Sequence, residues 1–409
     1  MQNMTVNNKG YDFSAVHGAL QSYVDQDILA GVSSAVLVGR ELVDLHMAGW
    51  ADKENRIPLR SDHLFRIFSN TKLVTSCAVL LMMEAGQLRL DDAIEAYIPQ
   101  LGRRRVLKPG AVSIDDSEPA ASSITIRHLL THTSGLGYGF LHPGSLMDHA
   151  YNERKVMNAA QTLAEMMDVL AELPLGFHPG TRWEYSVATD VLGRLVEVVS
   201  GQRFDQFLQA RIFDVLGMAD TGFVVPPEKQ ERLTAYYAGA DTFRPLQPGL
   251  TRLENAPFPG AFLTPVPRLS GGGGLVSSLP DMLALLRSLI PDQAGGPTLL
   301  QPDTLALMMS NQLAAGLSIG FPSVGPVPGK GFGLAGAVTL KPSALDPAAS
   351  SGEFEWGGVA GTHWWISPRH NLAGLLMTQR QMAFWHPFSF DFKRRVYQAV
   401  RAVQAAQAV

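Results

Sequence analysis

Apolar residues recur along this chain with two different periods, and the switches between them lay out an order of elements. Val16, Leu20, Val24 and Ile28 follow one another at helical spacing and predict an N-terminal helix. Gly31 to Val38 and Glu41 to Gly49 then read as two strands, joined by a turn at Gly39-Arg40. From Thr71 to Ala85 the chain is apolar and holds neither Gly nor Pro, which predicts a helix with Gly86 as its left-handed C-cap. Residues from about 90 to 265 read as mainly helical and loop-like, with one clear helix from about Thr189 to Ser200 that ends at Gly201. Ser278-Leu-Pro-Asp281 has the form of a capping box opening a helix to about Ile290. Residues 316 to 352, rich in Gly, Pro and Ser, read as long loops. Strand character returns at Gly361 to Ser367 and Asn371 to Gln379, around the turn Pro368-Arg369-His370, before a last helix from about Asp391 to Gln407.

Strands near both chain ends with helices between them predict one mixed α/β sheet closed by the N- and C-terminal segments. On this reading residues 10–90 and 266–409 form the α/β part, 91–265 form a mainly helical insertion, and a cleft lies between them. With 409 residues, 46% of them hydrophobic, the chain can bury a large core. A net charge of −4 and the lack of any long like-charge run leave no electrostatic footprint for nucleic acid or an anionic membrane. The densest basic cluster, Arg103-Arg104-Arg105, reads as a solvated surface turn. No apolar stretch reaches the ~20 residues that cross a bilayer. The first ten residues lack the apolar core of a secretory leader, so a cytoplasmic location is expected. Cys77 is the single cysteine, which excludes an intramolecular disulfide and reads as a small buried hydrophobe.

Ser69-Asn70-Thr71-Lys72 is the one Ser-x-x-Lys in the chain. Residues three apart on a helix are neighbours, so Lys72 can reach back toward the Ser69 hydroxyl. A serine is a weak nucleophile until a base removes its proton, and a lysine serves only if its pKa falls from ~10.4 toward neutrality. The helix N-terminus beside Ser69 is expected to favour both a developing oxyanion and an unprotonated lysine. Spacing alone does not distinguish this pair from an ordinary helix start.

Four segments around it carry a resemblance over nearly the whole length: Phe68-Ser-Asn-Thr-Lys72 with Leu88-Arg-Leu-Asp-Asp92, Leu129-Leu-Thr-His-Thr-Ser-Gly-Leu136, Pro179-Gly-Thr-Arg-Trp-Glu-Tyr-Ser186, and Gly271-Gly-Gly-Gly-Leu-Val-Ser277. In these the chain resembles the serine β-lactamase and D,D-peptidase superfamily. The resemblance implies an antiparallel sheet flanked by helices, a mainly helical second domain and an active site between them. It aligns Tyr185-Ser-Val187 with the superfamily's Tyr-x-Asn and makes Tyr185 a general acid/base beside Ser69 and Lys72. The third motif, Lys-Thr-Gly, is absent, and Trp356-Gly357-Gly358 stands in its expected place. A tryptophan cannot offer the charge that recognises a penicillin or peptide carboxylate, and Val187 removes a polar contact to an amide. Trp-Gly-Gly at this point is similar to the family VIII carboxylesterases. That resemblance implies substrate contacts from Trp356, Gly357 and Gly358, and an oxyanion hole from the backbone N–H groups of Ser69 and Val359. It implies a small-molecule ester as substrate and requires no cofactor or metal. Alternatives on the same Ser69, Lys72 and Tyr185 are β-lactamase or D,D-peptidase activity and acyl transfer to an alcohol or amine. A non-catalytic acyl-ligand-binding protein is the remote one. Oligomeric state is not legible.

Other signals carry less. Gly316-Leu-Ser318-Ile-Gly320 matches the nucleophile-elbow pattern, but the prolines after it cannot continue as the helix an elbow needs. His128 and His132 are four apart without the Glu of a zinc motif and read as a structural turn. Gly271 to Gly274 reads as close-packed backbone rather than a phosphate cradle. Trp364, Trp365, Phe384, Trp385 and His363 are candidates for lining the cleft, against a plain core role.

Overall fold

Strands covered on both faces need no polar alternation, and the long apolar runs near the two chain ends meet at the centre of one sheet. The computed structural model describes residues 4–291, 298–322 and 325–407. The N-terminal part supplies β1 (Gly31–Val38), β2 (Glu41–Asp52) and β3 (Ile57–Pro58). A separate antiparallel ladder pairs β4 (Leu64–Arg66) with β5 (Val276–Ser278). The C-terminal part supplies β6 (Lys330–Phe332), β7 (Ala337–Thr339), β8 (Phe354–Gly357), β9 (His363–Ser367) and β10 (Leu372–Thr378). The main sheet has eight strands in the order β6-β7-β8-β9-β10-β1-β2-β3, antiparallel throughout. The two chain ends join where β1 pairs with β10, Val32 opposite Thr378 and Val38 opposite Leu372.

Among the helices, those that bear on the site and the sheet are α1 (Ser14–Asp25), α2 (Thr71–Glu84), α3 (Ile126–Leu130), α4 (Leu163–Ala171), α5 (Ala188–Ser200), α6 (Leu279–Leu289) and α7 (Pro387–Gln407). On one face of the sheet, Val16 and Leu20 of α1 and Phe392 and Val396 of α7 share a core with Val32, Val36, Leu372 and Leu376. Helix α6 covers the other face, where Ala35, Leu37, Leu375 and Met377 point into the larger core. Helix α2 is buried nearly all round and packs on α5, which in turn packs on α3 and α4. Cys77 lies inside it, its thiol pushed up to about 12 by burial. Among the described residues, no helix is long and apolar enough to cross a membrane.

Most element positions follow the hydrophobic pattern, and the departures have local causes. Helix α1 stops at Asp25, and Ile28 is buried beyond its end. Helix α7 starts at Pro387, where a proline loses no hydrogen bond. Residues 316 to 352 are not only loops, since β6 and β7 form one edge of the sheet; at three residues each they are too short to show alternation. The capping box at Ser278 is half made. Its hydroxyl accepts the Asp281 N–H, but Asp281 turns to accept from the Asp220 N–H and Thr221 Oγ1, both at 2.8 Å, because Ser278 already belongs to β5. In the arginine cluster Arg103 and Arg105 are exposed as expected, but the residue between them is not. Arg104 is buried and donates to the carbonyls of Leu170 (2.7 Å), Ala171 (2.9 Å) and Leu173, closing the open C-terminus of α4.

Behind β8 lies a buried charge network that sets the strand's position. Lys330 reaches Asp346 at 2.9 Å and Glu355 at 2.5 Å, while Lys393 of α7 reaches Glu353 at 2.5 Å and Glu355. Tyr397 donates to Glu353 at 2.9 Å. Burial pushes the Glu353 carboxyl from 4.5 up to about 7, against the pull of Lys393. A carboxyl raised on folding contributes stability that is complete below its unfolded pKa and is lost as pH rises through the folded value. Wild-type stability is therefore expected to fall between pH 4.5 and about 7. Glu353→Gln should flatten that fall by up to roughly 3 kcal/mol, read from urea midpoints across the range. An unchanged slope in the variant counts against this assignment.

Candidate active site

Strand β4 delivers the chain into a short turn, Phe68-Ser69-Asn70, that runs on into α2. Phe68 adopts φ +41°, a conformation a bulky residue holds only when its surroundings demand it. Here they do. Its ring packs 5.6 Å from both Tyr236 and Phe262, and the preceding backbone is clamped by Gln379, which accepts the Arg66 N–H at 3.2 Å and donates to the Arg66 carbonyl at 3.1 Å. Ser69 is left half-exposed at the tip, while Asn70, Thr71 and Lys72 are buried.

Lys72 Nζ donates to the Gly272 carbonyl at 2.6 Å and to Tyr138 Oη at 3.3 Å, and lies 4.5 Å from the centre of the Tyr185 ring. Burial pulls its pKa down, but Tyr138, Tyr185 and Asp190 together outweigh that and raise it above the usual lysine value. The expectation of an unprotonated lysine is therefore not met, because Tyr138, Tyr185 and Asp190 lie beside Lys72. An ammonium has no lone pair with which to take a proton. The Tyr138 phenol is pushed up to about 12, chiefly by burial.

Tyr185 reaches this place because two loop segments are laced together. The carbonyls of His132, Thr133 and Gly137 accept the N–H groups of Glu184 (2.9 Å), Gly180 (2.7 Å) and Val187 (3.0 Å). This sets Tyr138 against Tyr185, their rings stacked at 5.4 Å. The Tyr185 hydroxyl is buried and has no well-aligned hydrogen-bond partner. His132 packs 4.8 Å from the Tyr185 ring, its Nδ1 accepting the Ser186 N–H at 3.3 Å, and burial with the nearby Lys72 pushes it well below 6.5 into the neutral form. His128 closes the capping box of α3 with Thr125. Both histidines thus serve the backbone, and among the described residues no group of three or more His, Cys, Asp or Glu is arranged to hold a metal.

The glycine run is close-packed backbone with a function added. Thr75 Oγ1 donates to the Gly271 carbonyl at 2.8 Å, and a Cβ on Gly271 would stand 2.5 Å from the Thr189 carbonyl oxygen. A Cβ on Gly272 would meet Asp190 Oδ2 at 2.7 Å, Tyr138 Oη at 3.1 Å and Lys72 Nζ at 3.3 Å.

Trp356, Gly357 and Gly358 come to the same place from β8. The Trp356 ring lies 5.5 Å from Tyr185, with Phe332 at 5.2 Å and Phe384 at 5.1 Å. A Cβ on Gly358 would stand 2.6 Å from the Ile67 carbonyl oxygen, so only glycine lets the strand end approach the turn that carries Ser69. The N–H groups of Ser69 and Val359 donate to none of the described residues. Trp364 and Trp365 belong instead to the core, against Phe354 (5.1 Å) and Tyr397 (5.3 Å). Phe384 and Trp385 do reach the aromatic wall through Phe321, 5.8 Å from each. The His363 ring fills the space beside Gly357 and bonds the Ala383 carbonyl at 3.1 Å, with burial lowering it to about 4. Ser318 is exposed in a loop that runs into a two-residue strand, without the helix an elbow requires.

Comparison with known proteins decides the family. The family model described as Beta-lactamase matches residues 16–385. The chain belongs to the β-lactamase family. Within it, this β-lactamase-family chain is 33% identical to Esterase EstB of Burkholderia gladioli over 90% of its own length and 91% of the relative's. It is 30% identical to monacolin J acid methylbutanoyltransferase of Aspergillus terreus, over 86% and 85%. Among solved structures it resembles EstCE1, a hydrolase with promiscuous acyltransferase activity, with a TM-score of 0.78, 25% identity and coverage of 94% and 98%.

Sequence reasoning missed Tyr138 and Asp190. Tyr138 lies two residues past the Leu129–Leu136 segment, after Gly135 and Gly137, glycines that signal close approach. Asp190 looks like any acidic residue in the first turn of a helix.

Proposed function

We infer that this β-lactamase-family protein is a serine carboxylesterase in which Ser69 takes the acyl group of a small-molecule ester. The observation that carries the mechanism is the Lys72 ammonium held between Tyr138 and Tyr185. Since Lys72 keeps its proton, Tyr185 is the general base. Tyr185 acts as a phenolate stabilised by the Lys72 charge: its Oη takes the Ser69 proton and becomes a phenol as the Ser69 oxygen attacks the ester carbonyl. The carbonyl oxygen becomes an oxyanion facing the free N–H groups of Ser69 and Val359. As the tetrahedral intermediate collapses, Tyr185 returns the proton to the leaving alkoxide. Water then repeats the sequence on the acyl-enzyme and releases the acid. Trp356, Gly357 and Gly358 form the wall along which the substrate lies. On this reading residues 10–90 and 266–409 carry Ser69 and Lys72, the inserted 91–265 carries Tyr138 and Tyr185, and the reaction occurs between them.

Esters are favoured over β-lactams because Trp356 offers no cation for a substrate carboxylate and Val187 is buried and apolar. Acyl transfer is a second reading with its own support. A cavity of about 180 Å³ beside Tyr185, lined by Trp183 and Phe321 together with His142, Arg182 and Glu184, offers an alcohol a seat that is part apolar and part polar, in place of water.

A p-nitrophenyl ester assayed beside a chromogenic cephalosporin tests the assignment. Ester kcat/KM is expected to exceed the cephalosporin value by at least about 10²-fold, and Tyr185→Phe to lower ester turnover by about 10²–10⁴-fold. Faster cephalosporin turnover, or full activity in the Tyr185 variant, overturns it.

A further inference from the structure

Asp190 is the one carboxylate near the Ser69–Lys72–Tyr185 cluster whose role no motif explains. It is the third residue of α5, fully buried, and the helix has no side-chain cap. An acidic residue in a first turn normally faces water or bonds the open N–H groups of its own helix. Asp190 does neither. Its Oδ1 accepts from Ser270 Oγ at 2.6 Å, and its Oδ2 is buried with no hydrogen-bond partner among the described residues. That free oxygen faces the space kept open by Gly272, which Lys72 Nζ and Tyr138 Oη face from other sides.

We propose that Asp190 is a positioning residue for this reaction: its buried carboxylate is the counter-charge that holds Lys72 as an ammonium beside Tyr185. A buried charge left alone is costly, and opposite charges buried close together favour each other's ionised form. The other titratable groups facing Lys72 are Tyr138 and Tyr185, both phenols, with neutral His132 behind Tyr185. Asp190 is then the one carboxyl group among these groups facing Lys72. It acts through Lys72 and touches no reacting atom. The proposal rests on the reading of Tyr185 as base, and it separates the roles of the pair: Lys72 stabilises charge, and Tyr185 moves the proton.

The test is Asp190→Asn, which preserves the bond from Ser270 and removes the charge. In kcat/KM against pH with a p-nitrophenyl ester, losing the anion makes Lys72 easier to deprotonate and Tyr185 easier to ionise. Both limbs of the profile should move to lower pH, by about 1–3 units, with kcat falling more than KM rises. A purely structural role lowers activity without moving either limb. Unmoved limbs in a folded variant therefore overturn the proposal. A stability cycle gives an independent answer. Lys72→Met leaves the Asp190 carboxylate buried alone, so Lys72→Met/Asp190→Asn should have a higher Tm than Lys72→Met. An equal or lower Tm overturns the proposal as well. Full activity in Tyr185→Phe would instead defeat the choice of base, and the Tm cycle would still report on Asp190.

Discussion

Ser69→Ala is expected to abolish ester hydrolysis, lowering kcat by at least about 10⁴-fold, while Ser318→Ala keeps wild-type turnover. The size follows from covalent catalysis: without the hydroxyl there is no acyl-enzyme, and only the oxyanion donors and substrate binding remain. The contrast follows from placement. Ser69 sits on a strained, clamped turn at the start of a buried helix, within reach of free backbone N–H groups. Ser318 is exposed in a loop. The measurement is steady-state turnover of a p-nitrophenyl ester by both variants, with mass spectrometry of an acyl adduct trapped on the wild-type protein. Turnover surviving in Ser69→Ala and lost in Ser318→Ala would reverse the assignment.

Gly272→Ala should lower ester turnover by about 10²-fold. The new carbon would lie 2.7 Å from Asp190 Oδ2, 3.1 Å from Tyr138 Oη and 3.3 Å from Lys72 Nζ. None of these atoms ends a side chain with free room to retreat, since all three residues are buried. The ammonium must shift relative to Tyr185, and a displacement of about 1 Å in a catalytic group costs on the order of 10²-fold in rate. Gly272 does not have a positive φ, so its backbone suits alanine, and any fall in Tm comes from the overpacking alone. Gly273→Ala is the control. A Cβ there meets nothing closer than 3.8 Å, and its activity should stay near wild type. Equal activity in the two variants would mean that the cluster tolerates displacement, against the reading of Lys72 as a tightly held cation.

Much of the fold was legible because its central strands and helices are long and apolar. β1, α2 and α5 lie within a residue or so of their expected bounds, since each is largely buried and each is followed within two residues by a glycine of positive φ. The sheet edge was not legible. β6 and β7 hold three residues each and are strands only because β8 offers β7 a partner and β7 in turn offers one to β6. Arg104 was misjudged for a related reason: three arginines in a row look solvated, and nothing local tells that one of them will meet the open carbonyls of α4.

For the site, the sequence by itself singled out the candidate residues. Ser69 and Lys72 are tied by helical spacing, and Tyr185 and Trp356-Gly357-Gly358 stand in segments whose resemblance to known enzymes does not depend on coordinates. Only the tertiary structure supplied the neighbours on which the proposed division of roles rests. The charge of Lys72 is a sum over Tyr138, Tyr185 and Asp190, which lie 66, 113 and 118 positions away along the chain and meet it only after folding. Spacing reports which side chains share a face, whereas a pKa depends on every charge within a few ångströms, and that neighbourhood is built by packing.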